Sequence, residues 1–166
     1  MIRISDFKRG FTLIELLVVI SIIGILATLL MANLNSARSR GRDAERKSDV
    51  KNLQTALRLF YNDYGSYPKN DASYDILGCS GPPNFTVCNW GSPWTVTASG
   101  GSTTTYMPQL PKDPLSTQSY EYMQINTDSY EIDACLENAS DPNGVVSTKT
   151  NWKGTCSSGM VFQVTQ

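Results

Sequence analysis

FTLIELLVVISIIGILATLLMANL, residues 11–34, decides the fold. The stretch is apolar all round and carries no charge from Leu16 to Ala32. It is long enough for a helix to span a bilayer. One residue breaks the pattern. Glu15 sits where a charge costs about 2.5–3.5 kcal/mol on insertion scales, so by default it marks function. A cleaved secretory signal is the rival reading, since Arg3, Lys8 and Arg9 make the start basic. A signal needs small residues at its cut site. Leu30 precedes Ala32 by two places and Asn35 precedes Ala37, so neither offers one. The apolar stretch is expected to stay.

The helical period runs on past it. Val50, Leu53, Leu57, Phe60 and Tyr64 recur at steps of three and four, and no proline falls between Gly24 and Gly65. One helix from Phe11 to Tyr64 is expected, about 80 Å long at 1.5 Å per residue. Its first half, 11–34, is a transmembrane segment. Its second half, 35–64, is amphipathic and must cover a core; burying its five apolar side chains is worth roughly 8–15 kcal/mol gross. Gly41 is a weak point where the rod can bend. In YGSYPK, Gly65 caps the helix and Pro68 prevents its resumption.

Beyond the helix the period changes. Residues 69–118 are crowded with Gly, Ser, Thr and Pro and read as loops, with SGGSTTT as a mobile surface tract. SYEYMQI (119–125) and SYEIDACL (129–136) alternate with period two around NTD, which makes a hairpin. NGVVSTKT and GMVFQVTQ are further strand candidates. The expected architecture is α+β: a long N-terminal helix packed on a small antiparallel sheet formed within 65–166.

Charge is distributed by segment. The chain has a basic start, then the apolar span, then a collar of six Lys/Arg between Arg38 and Lys51, and from residue 52 onward five Lys/Arg against ten Asp/Glu. Asp43, Glu45 and Asp49 interrupt the collar, which reads as a solvated helix face with local ion pairs. Histidine is absent, which excludes histidine-dependent triads and zinc hydrolases. Four cysteines, Cys79, Cys88, Cys135 and Cys156, all follow the span and contain no C-x-x-C pair. They imply an oxidising compartment and two disulfides. Three connectivities are possible. Cys79–Cys88 with Cys135–Cys156 is favoured, because each closes a short loop.

RGFTLIE, with its basic leader and uncharged helix, resembles the processing site of type IV prepilins and of the pseudopilins of type II secretion. The helix end YNDYGSYP and the motif LPKDP (110–114) are similar to those of major pseudopilins. The resemblance implies a pilin-like fold and no enzymatic activity. It implies a leader, 1–10, held in the cytoplasm by Lys8 and Arg9. A prepilin peptidase would cut between Gly10 and Phe11 and N-methylate Phe11. Glu15 would then answer the new cationic amine, first its own and then a neighbour's. The implied partners are further copies in a homopolymer, minor pilins, an inner-membrane assembly platform and membrane lipid, with no small-molecule substrate. The implied location is the bacterial inner membrane, with a single pass and an extracytoplasmic head, followed by an extracellular or periplasmic filament. Ala32 stands where many pilins carry a proline. Related pseudopilins bind calcium near the C-terminus, but no D-x-D-x-D-G pattern is present and DPNG (141–144) reads as a turn.

The function expected is a structural subunit of a type IV pilus-like filament, with the major pseudopilin of type II secretion as the alternative. A membrane-anchored enzyme or binding module is the third class. No nucleophile–base set supports it, and a tether needs neither Glu15 nor a rigid extension.

Overall fold

The computed structural model describes residues 10–147, 156 and 158–166. The leader charges Lys8 and Arg9 lie outside these residues, as does the end of NGVVSTKT. The chain divides into two compact units between Arg38 and Ser39.

Helix α1, Leu13–Tyr64, contributes to both units. It begins two residues later than the apolar period suggests, because Thr12 is its cap: the Thr12 carbonyl accepts the first helical hydrogen bond, from Leu16 N–H. It ends as expected at Gly65, whose φ of 68° lies in the left-handed region and whose N–H donates to the Tyr61 carbonyl at 2.8 Å.

In the first unit the large apolar side chains of α1 stand exposed, from Leu13 and Ile14 to Leu26 and Leu30. Among the described residues, no helix is long and apolar enough to cross a membrane, so the transmembrane segment expected over 11–34 finds no support there.

In the second unit, Val50, Leu53, Leu57 and Phe60 are buried and Tyr64 packs at the edge of the core. The four long side chains lie on one helical stripe, with Ala56 filling the gap between them.

The head carries three sheets rather than one. Strands β1 (Lys69–Asn70), β2 (Ile76–Cys79) and β3 (Thr86–Val87) form the first, and β4 (Trp94–Thr97) pairs with β5 (Thr103–Met107) in the second. The expectation of loops over 69–118 is thus corrected. These strands span two to five residues, and the brief alternation of WTVT in β4 is set among glycines, serines and prolines that read as loop. SGGSTTT is corrected with them. Its threonines start β5, where Thr103 pairs with Thr97 and Thr105 with Thr95. β-Branched residues suit a pleated surface, and that signal was present.

The third sheet has the order β6-β7-β9-β8. The predicted hairpin supplies β6 (Glu121–Asn126) and β7 (Ser129–Cys135), β8 is Val145–Val146 and β9 is Met160–Thr165. Tyr122, Tyr130, Ile132 and Ala134 bring the sheet's inner face into the core, and Phe162 and Val164 pack against it. Phe60 lies among the rings of Tyr64, Phe85, Trp94 and Tyr106, with centroid distances of 4.5–5.6 Å. Trp94 is fully buried, and its indole N–H donates to the Gly78 carbonyl at 2.8 Å. A Cβ at Gly78 would meet that ring at 3.2 Å, tight enough that the buried indole would have to give by a few tenths of an ångström.

Candidate functional site

The start of α1 gathers Gly10, Phe11, Thr12 and Glu15. Gly10 is exposed with open space around it, and Phe11 is 80% exposed. Glu15 turns back on the helix end. Its carboxylate accepts from the Thr12 backbone N–H at 2.8 Å and from the Thr12 hydroxyl at 2.8 Å. Thr12 Oγ1 in turn accepts from the Glu15 N–H at 3.2 Å. This is a reciprocal capping box, and it satisfies backbone donors that a helix start otherwise leaves open. The T-x-x-E spacing of this box is legible in TLIE, residues 12–15.

The collar is a solvated face only in part. Arg38, Arg40 and Lys51 are exposed, whereas Arg42, Arg46 and Lys47 reach across to acidic residues of the head, within the second unit. Arg46 is fully buried and donates through Nε and Nη2 to both oxygens of Asp113 at 2.8 Å. Its Nη1 donates to Asp43 and to Glu137, both at 2.8 Å. Arg42 takes both oxygens of Glu137 at 2.5 and 2.6 Å, and Lys47 holds Asp141 at 2.6 Å. Asp43 also accepts the backbone N–H groups of Glu137 and Asn138 at 2.9 Å. Burial opposes the charge on Arg46, but its bonds to Asp113 and Glu137 outweigh that and raise its pKa. The Arg42 bond holds the Glu137 carboxyl below the usual range, and Lys47 does the same for Asp141.

This cluster clamps the second half of α1 to the strand ends. LPKDP supplies Asp113, and the segment after β7 supplies Glu137. Tyrosines add three more ties to the acids: Tyr120 to Asp49 at 2.6 Å, Tyr106 to Asp63 at 2.6 Å and Tyr61 to Asp128 at 2.7 Å. Sequence reading missed the clamp because long-range charge pairing has no local period.

The bridges are Cys79–Cys88 and Cys135–Cys156, with sequence separations of 9 and 21 residues. DPNG is a turn, closed by Gly144 N–H to the Asp141 carbonyl at 3.0 Å. Both Asp141 oxygens accept from Lys47. Among the described residues, no group of three or more His, Cys, Asp or Glu is placed to hold a metal.

A capped apolar helix carrying Gly10, Phe11 and Glu15 at its start, joined to an antiparallel head, defines a protein of the pilin class. Residues 7–31 match the family model of the prokaryotic N-terminal methylation motif. The type II secretion system core protein G of Escherichia coli is 29% identical over 153 residues, covering 90% of this chain and 94% of that protein. Core protein G of Vibrio cholerae is 32% identical over 116 residues, 70% of each chain. The type IV major pilin protein PilA of Myxococcus xanthus is 41% identical over 68 residues, 39% of this chain and 31% of that protein. No solved structure matches the chain. The chain belongs to the family of the type II secretion core protein G, and it shares a shorter stretch of similarity with type IV major pilins.

Proposed function

We propose that this chain is the structural subunit of a pilus-like filament. It is made as a membrane precursor, cut between Gly10 and Phe11 by a prepilin peptidase, N-methylated on Phe11 and stacked through α1. The observation that carries the reading is the methylation motif over residues 7–31 running into a helix whose large apolar side chains are exposed. Such a surface needs cover. Lipid covers it first, and then the helices of neighbouring copies. The uncharged run from Leu16 to Ala32 supports a single bilayer pass, with Lys8 and Arg9 left on the cytoplasmic side. Four cysteines joined in two bridges support an extracytoplasmic head.

One observation favours the secretion pseudopilus over a surface pilus. The relatives matched through the head are core protein G, at 90% and 70% of this chain, whereas the Myxococcus pilin matches only 39% of it.

Glu15→Leu tests the reading. The span becomes more apolar, so insertion persists, and so does cleavage, which rests on the leader and Gly10. A neighbour's Phe11 amine is left without its countercharge, at a cost of about 3–5 kcal/mol per contact. Cross-linking in intact cells reads periplasmic and surface filaments alike; the wild type is expected to give a ladder of oligomers and the variant only monomer in the membrane fraction. A normal ladder from the variant would reject Glu15 as the assembly residue.

A further inference from the structure

A cleft of about 420 Å³ opens at the C-terminal end of α1, away from the charge clamp and the capping box. Three independently fixed walls build it. The first is the helix end, where Tyr64 lies half-buried against the Phe60 ring at 4.5 Å. The second is the loop closed by the Cys79–Cys88 bridge, which presents Pro83, Asn84 and Phe85. Phe85 stands edge-on to Tyr64, with centroids 5.2 Å apart and planes at 88°. The third is the hairpin, which presents Gln124 and Thr127. Gln124 is held by its Nε2–H donating to the Tyr67 carbonyl at 2.8 Å and by its backbone N–H donating to Asn70 Oδ1 at 3.0 Å. The Tyr67 N–H donates to the Thr127 carbonyl at 2.9 Å, tying the hairpin to the segment after the helix.

We propose that this cleft binds one or two rings of a neutral or acidic saccharide. The half-buried Tyr64 and Phe85 rings line the cleft with apolar aromatic surface suited to the C–H side of a sugar. The rim supplies amides at Asn84 and Gln124, hydroxyls at Ser66 and Thr127, and the exposed ammonium of Lys69. These groups suit a ligand dense in hydroxyls, amides or a carboxylate. A purely apolar ligand would leave that rim without hydrogen bonds. No carboxylate lines the cleft, which excludes a cation as the preferred occupant. The volume falls within the ordinary range of small-ligand sites. A disulfide and cross-strand bonds hold the walls before any ligand arrives, which lowers the ordering cost of binding. The inference goes beyond the filament reading.

The test uses full-length protein dispersed in detergent micelles, so it does not depend on assembly. Diacetylchitobiose and sialyllactose serve as probes, followed by saturation-transfer NMR and titration. At least one sugar is expected to receive saturation on its ring protons. Phe85→Ala is expected to weaken that binding about tenfold. Asn84→Ala, at an exposed position outside the core, should weaken it as well, and it keeps the test decisive if Phe85→Ala fails to fold. Lys69→Ala should affect sialyllactose more than diacetylchitobiose if the acidic sugar binds. Binding of neither sugar, or binding unchanged in both Phe85→Ala and Asn84→Ala, overturns the proposal.

Discussion

Arg46 illustrates how a residue can be decisive without showing any pattern. It lies fully buried with Asp43, Asp113 and Glu137 around it. Removing one partner of such a cluster strands the others, at about 3–5 kcal/mol. Arg46→Ala is therefore expected to lower the denaturation midpoint of the full chain far more than Arg40→Ala, whose side chain is exposed. Equal midpoints would mean that the clamp adds nothing. The clamp also sets an acid limit. The Arg42 bond lowers the Glu137 carboxyl, and the Lys47 bond lowers Asp141. Groups with depressed folded pKa values contribute stability above their unfolded values, about 4.3 for Glu and 3.9 for Asp, and lose it as pH falls through the folded values. Asp49 works in the opposite sense, since burial pushes its carboxyl up despite the Tyr120 bond. Stability attributable to Glu137 should stay level down to about pH 5 and decline below it. Arg42→Gln should flatten that acid limb, and an unchanged limb would contradict the assignment. At the helix start, Glu15→Gln separates two roles. Glutamine can still complete a capping box with Thr12 but carries no charge. Failure of Glu15→Gln to assemble would assign Glu15 to charge pairing, whereas normal assembly would reduce it to a cap.

At the scale of elements, legibility followed length and period. The helix was readable because its apolar stripe repeats from Val50 through Phe60, and because Gly65 and Pro68 mark its end. The β6–β7 hairpin was readable because its two runs alternate over six and seven residues. Strands β1 and β3 were not, since each has two residues and depends on a distant partner; β4 does alternate, as WTVT, but over four residues set among glycines, serines and prolines. Glu121 and Asp133 show the limit of the period rule. They occupy the outward, polar positions of the hairpin and pair across it, yet both are buried. The bridges brace these short elements. In the loop-entropy account, closing separations of 9 and 21 residues contributes about 2.5 and about 3 kcal/mol. Cys79→Ser with Cys88→Ser is expected to lower the denaturation midpoint and to raise hydrogen exchange in residues 76–87 while leaving α1 protected. Uniform loss of protection across the head would show that the bridge supports the whole fold rather than its own loop.

At the scale of the molecule, the two units answer different demands. The second buries its apolar stripe under its own sheets and locks it with charge. The first presents apolar side chains that nothing in its own unit covers, and it carries the methylation motif. The central claim joins these facts: the chain is a precursor whose helix becomes usable for stacking when its leader is removed. The most direct test is the intact mass of the mature protein purified from its native host. The account predicts loss of residues 1–10 and the gain of one methyl group on Phe11. A mature chain that retains Met1, begins after Ala37, or begins at Phe11 without the methyl group would contradict it.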